Sequence, residues 1–434
     1  MSTEWIGALG ILVLLVLLVL RIPVAFSIFV VGLGGVAILD SPSSALSLLA
    51  SETFTLASNA ELIVIPLFIL MGNVATEAGM SRKLYDAAYA LIGSIRGGLA
   101  SATVVGCAGF AALCGSSVAS ALTMGRVSLD EMKRYDYSAK LSTGAVAAGG
   151  TLGILIPPST GFVIYAILTQ QSIGRLFLAG VLPGLMLCLL FVIAITLMST
   201  LKPALAPAGP KTSRREKTDG LLGAMPILFV ILLTIGGIYT GIFSPVEAAA
   251  VGAGLMVLFG AAMRKLTLAS FWRAAQGSIS TTATVMLILI AAHMLNPFLA
   301  LSHIPQALGD YLTSLDIGPY GVLLLILACY LVLGCFLEGF AMLVLTMPIF
   351  FPVITALGFD PIWFGVLVVL TLEMGLISPP VGVNVFIVKS AAPQVPLKDI
   401  FIGVMPFWLV MIVAILLMIV FPDIVLVLPN AMMG

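Results

Sequence analysis

Charge is what this sequence has least of. Only 9% of its 434 residues are Asp, Glu, Lys or Arg, against about 25% in soluble globular domains, so a water-exposed globular chain is excluded. The 19 basic and 19 acidic residues cancel, which removes the electrostatic case for a nucleic-acid partner. Histidine is nearly missing: His293 and His303 are too few for a metal or haem cluster. The five cysteines (Cys107, Cys114, Cys188, Cys329 and Cys335) lie inside apolar runs without paired loop spacing, so disulfides and zinc are not expected. There is no Walker-type phosphate loop and no serine with a histidine partner. The chain is expected neither to hydrolyse ATP itself nor to be an enzyme. No basic residue precedes the first apolar run, MSTEWIGALGILVLLVLLVLRIP, which therefore reads as a first span and not as a cleaved signal.

What remains is apolar: 61% of the residues are hydrophobic and the mean hydropathy is +1.22. At about 20 apolar residues per crossing, that is roughly ten to thirteen spans. The chain is expected to be an all-α polytopic membrane protein in contact with the lipid bilayer.

The sequence also repeats itself. GILIPPST at Gly153–Thr160 returns as GLISPPVG at Gly375–Gly382, 222 positions later. ALTMG at Ala121–Gly125 returns as VLTMP at Val344–Pro348, and GVLP at Gly180–Pro183 as GVMP at Gly403–Pro406, both after 223. Pro23-Val24 returns as Pro245-Val246 after 222. Four matches in one order at a near-constant offset indicate duplication. The seam is the polar linker 201–220, which carries Lys202, Lys211, Arg214, Arg215 and Lys217 and is placed in the cytoplasm by the positive-inside rule. The second half leaves that linker outward, whereas the first span runs inward to Arg21. Both termini are then periplasmic, and the halves form an inverted repeat, a pattern of secondary transporters.

The expected organisation is a first repeat at 1–200, the linker at 201–220 and a second repeat at 221–434. Residues about 97–132 have basic residues at both ends and a small polar centre, Cys114–Ser117, so they read as a re-entrant hairpin. Residues about 137–170 contain Pro157-Pro158, which remove two donors and force a break. In the second repeat the hairpin is expected at about 318–355, with its tip near Glu338-Gly339, and the broken helix at about 364–388. Interfacial helices are expected at Ser81–Ser94 and Ile304–Leu315. The total is ten crossings and two hairpins.

Helix breaks at membrane depth expose amide N–H groups that suit a carboxylate and carbonyl oxygens that suit Na⁺. A single Gly-Ser-Ser or Pro-Pro is ordinarily a packing device; the paired, duplicated set points to a site. Glu338 and Glu373 lie deep in apolar segments, where an ionisable side chain is costly. Each reads either as a coupling group or as a helix-end carboxylate bonded to backbone. Arg126 reads as snorkelling, Lys389 as a positive-inside anchor, and His293 and Asn296 as hydrogen-bonders within the helices.

At these residues the chain resembles the large membrane subunit of TRAP (tripartite ATP-independent periplasmic) transporters, DctM-type. The resemblance spans essentially the whole sequence and is most specific in GSSVASALTMGRVSLDEMKRYDYSAKLSTGAVAAGGTLGILIPPS and DPIWFGVLVVLTLEMGLISPPVGVNVFIVKS. It implies an elevator-type, Na⁺-coupled importer of organic acid anions in the bacterial inner membrane. The implied partners are a small four-helix membrane subunit (DctQ-type) and a periplasmic substrate-binding protein (DctP-type). It implies a first Na⁺ site at Cys114, Ser120, Gly153, Leu155 and Pro158, and the symmetry of the repeats makes two or more sites the expectation. The second, by symmetry, would lie at Glu338, Gly339, Met374, Gly375 and Pro380. Candidate substrate contacts are Ser116, Ser117, Ser159 and Asn384. Relatives often carry a serine in place of Cys114 and an acidic residue in place of Ser120; if these positions act through backbone carbonyls little is lost, and if the acidic side chain neutralises Na⁺ the first site here is weaker or differently tuned. The alternatives are a stand-alone Na⁺/carboxylate symporter and a non-transporting membrane scaffold subunit.

Overall fold

The computed structural model describes residues 2–20, 22–209, 212–314 and 317–433. Among these the regular structure is helical, apart from a single bridge between Arg96 and Ala208. Arg21 and Lys211, used above for orientation, and Leu315, the expected end of an interfacial helix, lie outside the described residues.

The first half contains α1 (Thr3–Val19), α2 (Val24–Leu39), α3 (Pro42–Ser58), α4 (Val64–Glu77), α5 (Met80–Ile92), α6 (Gly98–Cys114), α7 (Ser117–Arg134), α8 (Ala139–Leu155), α9 (Thr160–Thr169) and α10 (Ile173–Leu201). After the linker come α11 (Arg214–Tyr239), α12 (Pro245–Ala262), α13 (Leu268–Leu301), α14 (Ile304–Ser314), α15 (Gly318–Gly334), α16 (Gly339–Ala356), α17 (Pro361–Gly375), α18 (Val383–Ala391), α19 (Leu397–Val420) and α20 (Asp423–Met433). The succession α5–α9 recurs as α14–α18.

Local chemistry sets the ends of these helices. Ser213 with Glu216, and Ser244 with Glu247, form capping boxes that start α11 and α12, satisfying donors that have no intrahelical partner. Asp360 accepts from the amides of Ile362 and Trp363 ahead of α17, with Pro361 in the first helical position.

Burial sorts the helices into layers. All of α17 from Ile362 to Gly375 is buried, as is nearly all of α6 and α8. Around this centre, α10, α11 and α19 expose apolar side chains such as Leu189, Leu232 and Leu409, the expected surface toward lipid tails. The protein is a multi-pass, all-α membrane protein. Of the ten expected crossings, α10, α11, α12, α13, α19 and the 18-residue stretch Ala60–Glu77 are long and apolar enough to span, and α8 with α9 form one bent pair. By contrast α1 and α2, at 17 and 16 residues, fall short by length alone. The α16 segment, expected as a hairpin arm, passes the same length test.

Two helices lie outside the expected plan. The Ser/Thr-rich α3 lacks an apolar run but is started by the Ser41 side chain, which accepts from Ser44 N, with Pro42 in the first turn. The short α20 follows α19 and packs on α10, where Arg175 donates to Asn430 (3.4 Å).

Candidate functional site

The site is built from two helix–break–helix pairs and two interrupted helices. In the first pair Gly115, at φ 57°, ends α6, and Ser116 caps α7 by accepting from Ala119 N. Positive φ is cheap only for glycine, and the backbone crowds here: a Cβ on Gly115 would lie 2.6 Å from Pro158 O. The arms run antiparallel, since Gly106 on α6 faces Met124 on α7 and the two are nearly equidistant from the tip. The second pair turns through Cys335–Glu338. Its arms meet where Tyr330 accepts from Thr346 Oγ1 (2.6 Å) and packs on Phe350.

The interrupted helices bring their breaks against these tips. The first bends by 41° between α8 and α9. A Cβ on Gly153 would lie 2.5 Å from Ser116 O and 2.7 Å from Ser117 N, so the two backbones touch. Thr160 Oγ1 donates to Gly115 O (2.8 Å), a link from break to tip that sequence reasoning missed. The second interruption, Leu376–Gly382, separates α17 from α18. There Gly375 abuts Gly334, the end of the α15 arm, and Ser378 accepts from Trp408 Nε1 (2.8 Å). Both proline pairs, Pro157-Pro158 and Pro379-Pro380, are cis.

The halves interlock across the centre. Antiparallel α7 and α8 are fixed by Gly153 against Ser116 and Gly125 against Val146. Helix α8 runs parallel to α19, with Lys140 paired to Asp399 (3.2 Å) and Gly144 against Gly403. The second break returns antiparallel along α19, from Trp408 at Ser378 to Phe401 at Gly382. By this chain of contacts α18 runs parallel to α7. A Cβ on Gly125 would lie 3.8 Å from Ala391 Cβ, so the end of α18 packs on the middle of α7. Glu373 lies in the last turn of α17, one turn beyond Val369, whose Cγ1 would be 3.8 Å from a Cβ on Gly161 at the first break; the Ser117 hydroxyl acts on its carboxyl without a hydrogen bond.

The candidate residues therefore separate. Cys114, Ser120, Gly153, Leu155 and Pro158 are gathered and buried at the first tip and break, where Ser120 Oγ lies 3.2 Å from Cys114 Sγ. Met374 and Gly375 are buried at the second break, while Glu338 and Pro380 are exposed and Gly339 has open space beside it. The two candidate cation sites thus differ in exposure. Of the substrate candidates, Ser116 and Ser159 are occupied as caps, accepting from Ala119 N and Phe162 N. Ser117 Oγ and both side-chain polar atoms of Asn384 are buried without a hydrogen-bond partner, as is Glu373 Oε2. Orphaned buried oxygens are uncommon and costly, and hard oxygen donors of this kind fit an alkali cation together with a carboxylate-bearing solute.

Other singled-out residues lie apart from the breaks. Arg126 is exposed. Lys389 donates to Pro393 O and Val395 O and ties off the end of α18. His293 pairs with Glu52 at 2.9 Å, a cross-helix contact and not the bond within a helix that was expected; Asn296 Oδ1 has no partner. A cavity of about 580 Å³ adjoins His293, Gln170 and Ser244. A second, of about 480 Å³, lies between α5 and the linker and is lined by Asp86, Tyr89 and Tyr135. Burial raises the Asp86 carboxyl above its ordinary range and pushes the Tyr89 phenol to about 12.

Comparison with known proteins gives a consistent result. Residues 11–424 match the family model described as "Tripartite ATP-independent periplasmic transporter, DctM component". The C4-dicarboxylate TRAP transporter large permease protein DctM of Pseudomonas aeruginosa is 38% identical, covering 91% of each chain. The sialic acid TRAP transporter large permease protein SiaM of Vibrio cholerae is 33% identical over 95% of this chain and 96% of its own. Among solved structures, the YdaH transporter of Alcanivorax borkumensis superposes with a TM-score of 0.61 at 15% identity, over 88% of this chain and 89% of that one, a likeness of fold.

Proposed function

The chain belongs to the DctM component family of tripartite ATP-independent periplasmic transporters, and we propose that it is the substrate-translocating subunit of a Na⁺-coupled importer of organic acid anions working by an elevator movement. It would sit in the bacterial inner membrane with the linker cytoplasmic and both termini periplasmic. It would act with a small membrane subunit and a periplasmic substrate-binding protein. The observation that carries this reading is the set of buried, unpartnered side-chain atoms of Ser117 at the first tip and of Glu373 and Asn384 on either side of the second break. The organic-anion class follows from the relatives named for C4-dicarboxylates and sialic acid.

The mechanism follows from which parts are joined. Contacts between α7 and α18, α16 and α9, and α17 and α8 make the two tips and two breaks one packed body. The recurrence of α5–α9 as α14–α18 supports an inverted pair of repeats. This body would move against the flanking spans, with the periplasm-to-cytoplasm exchange carried by the tips and breaks together. Ser117 and Asn384 would orient the solute by hydrogen bonds. The N-termini of α7, α9 and α18, which begin at the breaks, would favour its carboxylate. Bound at the breaks, Na⁺ would supply the positive charge that a dry anionic solute requires. Coupling arises only if the ion's affinity differs between the two positions of the body.

The test is thermal unfolding of the purified chain in detergent, titrated with NaCl against KCl at matched ionic strength. Selective stabilisation by Na⁺ is expected, because a ligand that binds only the folded state raises its stability. Identical curves, also with the small subunit present, would remove Na⁺ coupling. Reconstituted uptake should require all three components; uptake by this chain alone would favour a stand-alone symporter.

A further inference from the structure

One buried carboxyl group at the centre is acted on by a side chain of the opposite half. Glu373 is 1% exposed and its Oε2 lacks a hydrogen bond. The ion pairs found among the described residues are Lys140–Asp399, Arg215–Asp219, Arg273–Glu77 and His293–Glu52; none reaches Glu373. The side chain that acts on it is Ser117, in the first turn of α7. A carboxylate withdrawn from water without a positive partner is strongly unfavourable.

Beside it lies a cluster with the reverse deficit. Every candidate cation ligand at the first tip and break is uncharged, and the Ser120 hydroxyl is already engaged with Cys114. A cation held there by neutral dipoles alone lacks compensating charge. The two deficits adjoin: a Cβ on Gly161 at the first break would lie 3.8 Å from Val369 Cγ1, one turn before Glu373, and the backbone of Ser117, whose hydroxyl acts on Glu373, touches Gly153.

We propose that Glu373 supplies the negative charge of the alkali-cation site at the first tip, reaching it from the second half beside Ser117. Such a site would join α7 at the first tip to α17, the interrupted helix of the other half, and so tie the two halves into one moving body. The proposal rests on the Na⁺ reading above.

The experiment compares Na⁺-dependent thermal stabilisation of the wild-type chain, Glu373→Gln, Ser117→Ala and the exposed control Glu61→Gln, with K⁺ as the reference salt. In Glu373→Gln the Na⁺ concentration for half-maximal stabilisation should rise about tenfold or more, the scale of losing a residue that supports a metal site. The K⁺ curve should stay in place. Ser117→Ala should shift in the same direction by less, and Glu61→Gln should match wild type. A wild-type Na⁺ midpoint in Glu373→Gln overturns the assignment while leaving Na⁺ coupling intact. Absence of any Na⁺ effect in the wild-type chain overturns both. If Glu373→Gln does not fold, an unchanged midpoint in Ser117→Ala, which removes only a hydroxyl, overturns the proposal.

Discussion

Gly153→Ala is a one-methyl perturbation aimed at the contact between the first break and the first tip. The added Cβ would sit 2.5 Å from Ser116 O, 2.6 Å from Ser116 C and 2.7 Å from Ser117 N, where ordinary contact begins at 3.4 Å. All three are backbone atoms, so no rotamer change relieves them, and the tip must withdraw by about 0.9 Å. Overpacking of this kind costs about 1–3 kcal/mol. If the displaced tip is also the binding site, up to that energy is lost from binding, which converts to about a 5- to 150-fold weaker affinity. Gly339→Ala at the second tip is the matched control. Its Cβ meets nothing within 4 Å, so the change should stay within about 0.5 kcal/mol. The assay is the Na⁺ midpoint of thermal unfolding, followed by Na⁺-driven uptake in proteoliposomes containing the partner subunits. Equal midpoints for the two alanine variants, or a larger loss in Gly339→Ala, would refute the reasoning.

Further outcomes follow from the same contacts. Gly375→Trp should abolish uptake while the chain remains monodisperse and helical, because Gly334 Cα lies 2.7 Å from the new Cβ; retained uptake would remove the second break from the site. Lys140→Ala should cost no more than about 1 kcal/mol in unfolding experiments, since the Asp399 pair is 47% and 34% exposed and screened. The Asp86 carboxyl, raised by burial above 3.8, binds its proton more tightly when folded. Its contribution to stability is therefore present below pH 3.8 and lost as pH rises through the higher folded value. Asp86→Asn should accordingly gain melting temperature over wild type as pH rises from that range, and curves that stay parallel would contradict the burial argument.

How much of this was legible in the chain differs from element to element. The tips and breaks were, because Gly115, Pro157-Pro158 and Pro379-Pro380 act on their own backbone and need no neighbours. The helix α3 was not: its residues carry no apolar periodicity, and a single Ser41 cap with Pro42 starts it. The Glu52–His293 pair joins residues 241 positions apart, and the link from Thr160 to Gly115 depends on how α9 packs. Glu373 was visible as a buried carboxyl whose role could not be chosen, because Ser117, the side chain that acts on it, stands in the other half.

The sequence by itself determined that the chain is an all-helical membrane protein and where its helices break. Those properties come from apolar content and residues that cannot continue a helix. Only the tertiary structure decided which break meets which tip, that the first lies buried while the second is open, and that side-chain oxygens of Ser117, Asn384 and Glu373 are buried without hydrogen-bond partners. Such facts depend on packing between helices far apart in the chain, which local chemistry permits but does not select.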